Sequence, residues 1–288
     1  MQACLARLYV DEPFRRWLLA ERAAALEGYF LSPDERAALL SIDSGQLDDF
    51  AASLVAKRRK RVEHAYPMLF ALDTPILRRC YSRFHHLFPS RPGDAPEQDI
   101  LAFGTFMQET LPAIDLLPPY ASDLAKYERL CFVALGAGLP TSPPAEPQLL
   151  TSQARPFLHP AVRLAEFDYD VADFESRLGV ESGASPPALD PSACCVLFHR
   201  AALDGSLQML RINAPTRKII MLCDASRSTD QVIAAAEASL GAYDLADGVV
   251  QAIERLLRAG VLILSAPDPA SAGRRPKLVV DAGEGFDE

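Results

Sequence analysis

The sequence predicts an α+β protein, with an all-helical N-terminal domain followed by a smaller domain built from a β-hairpin and three helices. Two observations carry this expectation. Over the first 140 residues, apolar positions recur at helical spacing between starts marked by Pro, Asp and Ser. Further on, two strand-like runs flank Ala202-Leu203-Asp204-Gly205, and three helical stretches follow them. A chain of 288 residues also exceeds what one ordinary core needs, which suits two domains.

Asp11-Glu12-Pro13 opens a first short helix that carries Trp17, Leu18 and Leu19. Ser32-Pro33-Asp34-Glu35 has the form of a capping box, with Ser32 as cap and Glu35 three residues on. Asp43-Ser44-Gly45-Gln46 starts a longer helix whose apolar positions are Leu47, Phe50, Ala51, Leu54, Val55 and Val62. Its later half holds Lys57-Arg58-Arg59-Lys60-Arg61, which reads either as a solvated face or as a patch for an acidic groove on a partner. Tyr66-Pro67 interrupts the pattern, and Asp73-Thr74-Pro75 starts a helix reaching about Phe88. Two more are expected at 97–111 and 120–135, the last stopping at Gly136. Residues 141–160 read as a Pro-rich linker, and the second domain as 161–266, with a disordered tail at 267–288.

The second domain begins with the alternating run 162–169, a half-buried strand, and a Gly/Ser/Pro loop at 179–192. Strand-like runs at 194–201 and 206–213 form the hairpin, and helices follow at 214–223, 228–240 and 245–259. A closing strand is expected at 261–264. A hairpin with three helices in so short a span is winged-helix-like.

Composition removes several function classes. Twenty-nine Lys and Arg against 38 Asp and Glu give a net charge of −9, unsuited to coating nucleic acid or anionic membranes. No apolar run approaches the roughly 20 residues of a membrane span. The start Met1-Gln2-Ala3-Cys4 lacks the pattern of a secretory signal, and the six cysteines show no C-x-x-C pair, so free thiols in a cytoplasmic setting are expected. His64, His85, His86, His159 and His199 form no zinc-type spacing, and adjacent helical residues such as His85-His86 diverge by about 100°. There is no G-x-S-x-G, Walker loop or dinucleotide fingerprint. No catalytic constellation and no cofactor are therefore expected in this chain.

Between residues 194 and 264, seven Lys or Arg balance seven Asp or Glu, and the last helix turns apolar at Val249, Val250, Ile253 and Leu256. Base readout and phosphate anchoring need Arg, Lys, Asn or Gln there. A peptide adding as an extra strand fits better. The expected peptide-binding residues are Ser206, Leu207, Gln208, Met209, Leu210, Arg211 and Ile212 on the second hairpin strand, with Val249, Val250, Ile253 and Leu257 on the last helix. Alternation puts Leu207, Met209 and Arg211 on one face and Gln208, Leu210 and Ile212 on the other.

This C-terminal module, ending Leu256-Leu257-Arg258-Ala259-Gly260-Val261-Leu262, resembles the PqqD-type precursor-peptide recognition element of ribosomal peptide natural-product pathways. Further upstream the chain is similar to partner proteins of multinuclear non-haem iron-dependent oxidative enzymes. The carrying stretches are Lys57-Arg58-Arg59-Lys60-Arg61-Val62-Glu63-His64-Ala65-Tyr66-Pro67 and Leu117-Pro118-Pro119-Tyr120-Ala121-Ser122-Asp123-Leu124-Ala125-Lys126-Tyr127-Glu128. His159-Pro160-Ala161-Val162-Arg163-Leu164 and Tyr169-Asp170-Val171 continue the likeness.

The resemblance implies a non-catalytic subunit of a heteromeric complex. It would bind a ribosomally made precursor peptide and present it to a separate barrel-fold enzyme that holds the iron. Expected docking residues on the helical domain are Lys57, Arg58, Arg59, Arg61 and Tyr66. The alternatives are a winged-helix DNA-binding regulator, and a metalloenzyme using His85, His86, His159 or His199.

Overall fold

The computed structural model describes residues 1–22, 24–89, 94–136, 150–174, 188–201, 204–241 and 245–265. It is a mixed α+β chain in two compact units, Met1–Arg129 and Leu130–Glu288. The expected tail at 267–288 and most of the loop at 179–192 lie outside the described residues.

The described part of the first unit is helical: α1 Gln2–Val10, α2 Glu12–Ala20, α3 Pro33–Leu40, α4 Ser44–Ala65, α5 Pro67–Leu72, α6 Thr74–Leu87 and α7 Pro96–Thr110. Helix α8, Ala121–Gly136, runs across the division between the units. The starts follow the expected chemistry. Ser32 and Glu35 exchange both capping-box bonds, and the Asp11, Asp43 and Asp73 carboxylates accept from the backbone N–H groups of Phe14, Gln46 and Ile76. Helix α1 was not expected: it has no side-chain cap at Met1, so no start signal precedes it.

Two clusters stand out among the described residues of this unit. Cys4, Leu8, Phe14, Leu18, Leu26, Leu39 and Leu47 bury the faces of α1–α4 against one another. Aromatic rings form the other, with Phe103 of α7 at 5.4 Å from Tyr66, 6.0 Å from Phe70, 6.0 Å from Tyr81 and 5.4 Å from Phe84. Such ring pairs add about 0.5–1.5 kcal/mol each beyond the area they bury. The Glu128 carboxylate, itself buried, accepts from the Met68 and Leu69 N–H groups at 2.7 and 3.0 Å and so caps α5.

In the second unit, β2 Arg163–Tyr169, β3 Pro191–Arg200 and β4 Leu207–Ile212 form an antiparallel sheet of order β2-β3-β4. Asp204 holds the hairpin turn by accepting from the Ser206 N–H, and Gly205 takes a positive φ of 69° that disfavours other residues. Helices α9 Ala214–Leu222, α10 Thr229–Leu240 and α11 Ala246–Arg258 follow, each within a residue or two of its expected span. Ile219, Ile220, Val232, Ala236, Val249, Ile253 and Leu256 from these helices pack with Leu164, Cys195 and Leu197 of the sheet.

The expected linker needs correction at its C-terminal end. Arg155–Leu158 is a strand, β1, pairing antiparallel with β5, Leu262–Ser265, in a second small sheet. The stretch is stitched on by further bonds: Thr229 N–H donates to the Ala154 carbonyl at 2.8 Å and His159 N–H to the Val261 carbonyl at 2.9 Å. Pro156 within a four-residue strand hides the strand signal, since proline is tolerated in a sheet only at edges. The closing strand was expected; its partner was not.

Candidate functional site

The candidate site is the edge formed by β4. Its six residues pair with β3 without any shift of register, from Cys195↔Ile212 to Arg200↔Leu207. The other edge strand, β2, is irregular between Phe167 and Tyr169. Irregularities of this kind, prolines and charged side chains are the usual means of blunting an edge; β4 carries no irregularity and no proline, and Arg211 is its one charge.

Hydrogen-bond alternation fixes which way the β4 backbone points. Ala201 N–H donates to the Ser206 carbonyl at 2.8 Å, so the bonded pairs continue as His199/Gln208, Leu197/Leu210 and Cys195/Ile212. The N–H and C=O groups of Leu207, Met209 and Arg211 therefore point away from β3, where an added strand would meet them.

Side chains on this strand divide by face. Leu210 and Ile212 share the face of Leu197 and Cys195, and Ile212 packs against the helical core. Met209 lies on the opposite face beside the buried Phe198. Both Met209 and Leu210 remain more than one-third exposed, at 37% and 38%. Gln208 and Arg211 are exposed, and Arg211 pairs with Asp170 at 2.9 Å. Ser206 closes the hairpin, with its hydroxyl bonded to the Gln208 amide at 3.1 Å.

The α11 residues separate into two groups. Val249 and Ile253 are 2% and 0% exposed and belong to the core, so the expectation that they contact a peptide is corrected. Their i, i+4 spacing with Leu256 following makes the inward stripe of the helix. Val250 and Leu257 are half-buried and remain on an accessible flank.

The residues expected to dock a partner divide in the same way. Arg58 is buried: its guanidinium makes a two-pronged pair with Asp99 (2.7 and 2.5 Å), donates to the Phe88 carbonyl at 2.8 Å and lies 2.9 Å from His85 Nδ1. Tyr66 is fully buried, with its hydroxyl donating to the Ile100 carbonyl at 2.7 Å. Neither can face a partner, and both are corrected to interior roles. Arg59 is half-buried beside Glu63 at 3.3 Å, whereas Lys57 and Arg61 are exposed. The apolar register of α4 (Leu47, Ala51, Val55, Val62) has its gap at 58, which is the sequence signal that a buried cation stands there.

Burial, followed by the Arg58 cation, holds the His85 pKa below its ordinary 6.5. Because the folded value lies under the unfolded one, stability is full above about pH 6.5 and is lost as pH falls toward the folded value. The urea midpoint reported by Trp17, the single tryptophan, should fall from about pH 7.5 to about pH 5.5. His85→Gln should flatten that fall, and an unchanged slope would show that the histidine does not contribute.

His85 and His86 have ring centroids 5.9 Å apart, and among the described residues no three His, Cys, Asp or Glu side chains gather as a metal-holding group. No described helix is long and apolar enough to cross a membrane. No protein-family model matches the chain, and comparison with curated proteins finds no match.

Proposed function

We propose that this chain is a non-catalytic, cytoplasmic subunit that captures a ribosomally made precursor peptide along β4 and presents it to a separate iron-dependent oxidative enzyme. The observation that carries the reading is the unblunted edge itself: three outward-facing backbone positions, with Met209 and Leu210 exposed on opposite faces. An extended peptide gains main-chain bonds along Leu207, Met209 and Arg211, while apolar side chains above and below select the sequence. The order of sheet and helices after β2 suits a PqqD-like, winged-helix-like recognition element. Tethering the peptide raises its local concentration at the enzyme, so the recruiting chain itself needs no catalytic group or cofactor.

The edge geometry yields a selective test. Met209 N–H points outward, so Met209→Pro removes a donor to the peptide and leaves the β3–β4 ladder bonded. Leu210→Pro removes a ladder donor instead and should destabilise the unit. For a fluorescein-labelled leader peptide of a ribosomally made precursor that the chain binds, Met209→Pro should weaken binding by about tenfold or more, equivalent to about 1.4 kcal/mol. Unchanged affinity for this variant would refute strand addition at β4.

The DNA-binding alternative is less well supported. The exposed polar and charged residues of α11 are Asp247, Gln251, Arg255 and Arg258, and Arg258 is paired with Glu254. A phosphate backbone demands more cations than this mixed face supplies.

A further inference from the structure

On α4 the side chains of Lys57, Lys60, Arg61 and His64 are all exposed. Their spacing of i, i+3, i+4 and i+7 places them on one helix face. Among the described residues none of the four makes a hydrogen bond or an ion pair. Neighbouring cations are treated differently: Arg58 is paired with Asp99, Arg59 and Arg78 share Glu63, and Arg15 is paired with Asp48.

The helix dipole does not account for the face. Its influence is confined to the last turn, and Lys57, Lys60 and Arg61 precede that turn. Like charges at i, i+4, as in Lys57 and Arg61, cost about 0.2–0.5 kcal/mol. Helix α6 adds Arg79 and Arg83, also exposed and unpaired among the described residues. Residues 57–88 hold eight Lys or Arg against two Asp or Glu, a net of +6 in a chain whose total is −9. The positive field is therefore local, and the rest of the chain carries −15.

We propose that this face of α4 docks a carboxylate-rich segment of a partner protein. Charge complementarity selects the occupant. A short acidic segment engages the local field alone, whereas a long polyphosphate strand would also meet the strongly acidic remainder of the chain. Arg61 also lines a cleft of about 640 Å3 whose walls include Ala51, Ala52, Leu54 and Val55, and whose carboxylates Glu12, Asp48 and Asp99 are each paired with an arginine, so an apolar side chain of that segment has a place to enter. The inference rests on the recruiting reading for its setting, since it names the chemistry by which an enzyme subunit would be held.

The test uses the full chain and fluorescein-labelled decaglutamate, followed by anisotropy. Binding should weaken between about 50 and 200 mM salt. Lys60→Glu/Arg61→Glu should weaken it by about tenfold or more, whereas Arg79→Glu/Arg83→Glu should weaken it less. Both pairs are exposed, and unchanged Trp17 fluorescence will show that the helices remain folded. Met209→Pro should leave decaglutamate binding intact, so failure here is separable from failure of peptide capture. Equal binding by the α4 variant, equal losses from both variants, or tighter binding of a short DNA duplex would each overturn the proposal.

Discussion

Arg58→Met is expected to destabilise the helical unit by about 3–5 kcal/mol, the range for removing one partner of a buried ion pair. The Arg58 side chain is 6% exposed and that of Asp99 17%, so the carboxylate would be left largely desolvated without its cation. The Phe88 carbonyl and His85 Nδ1 would also lose a donor. Lysine should rescue little, because one ammonium cannot reproduce a planar fork that reaches Asp99, His85 and Phe88 at once. Urea denaturation followed by Trp17 fluorescence measures the loss within the unit that holds both residues. Asp99→Leu in the Arg58→Met background should recover part of the stability, since an apolar pair avoids the stranded charge. A loss below about 1 kcal/mol for the single variant would place Arg58 with ordinary surface cations.

This expectation bears on docking as well as on stability. If Arg58 were a contact residue, its replacement would weaken partner binding without unfolding the unit. Its geometry requires the reverse order, with weakened binding only where folding is lost. The exposed Lys60 and Arg61, one helix turn away or less, have no comparable structural duty. Substitutions there separate recognition from folding.

Much of the chain was legible because its signals act within four residues. Ser32 with Glu35, and the carboxylates of Asp43 and Asp73, satisfy N–H groups three positions on, whatever the rest of the chain does. Asp204-Gly205 likewise fixes a turn by local geometry. The alternation of β4 was legible too, although its consequence was incomplete: residues on both of its faces are exposed, and how far neighbouring elements cover a face is not written in the strand itself. The missed features depend on distant partners. Arg58 meets Asp99 across 41 residues, and β1 is a strand only because β5 lies against it. Phe50 occupies an apolar position of α4 yet remains 44% exposed, its ring tilted against Tyr9 with centroids 4.4 Å apart. Periodicity marks a face as apolar and does not say how far the neighbouring helix covers it.

The same dependence on distant packing predicts the effect of one methyl group. Gly104 lies in α7 where the Tyr66 hydroxyl crosses the helix on its way to the Ile100 carbonyl, and a Cβ at this position would collide with that oxygen and stand 2.9 Å from Arg129 Cδ. Helix propensity alone favours Gly104→Ala by about 1 kcal/mol. The collision should reverse the sign. Overpacking costs about 1–3 kcal/mol, and displacing a fully buried hydroxyl from its acceptor costs about 1–3 kcal/mol more. A net loss of about 1–5 kcal/mol in Trp17-monitored urea unfolding is therefore expected. Tyr66→Phe distinguishes the cause. Alone it should destabilise, because it removes the bond to Ile100; combined with Gly104→Ala it should be more stable than Gly104→Ala by itself, because the colliding oxygen is gone. Additive losses in the double variant would show that Arg129, and not the tyrosine hydroxyl, sets the limit on this close approach.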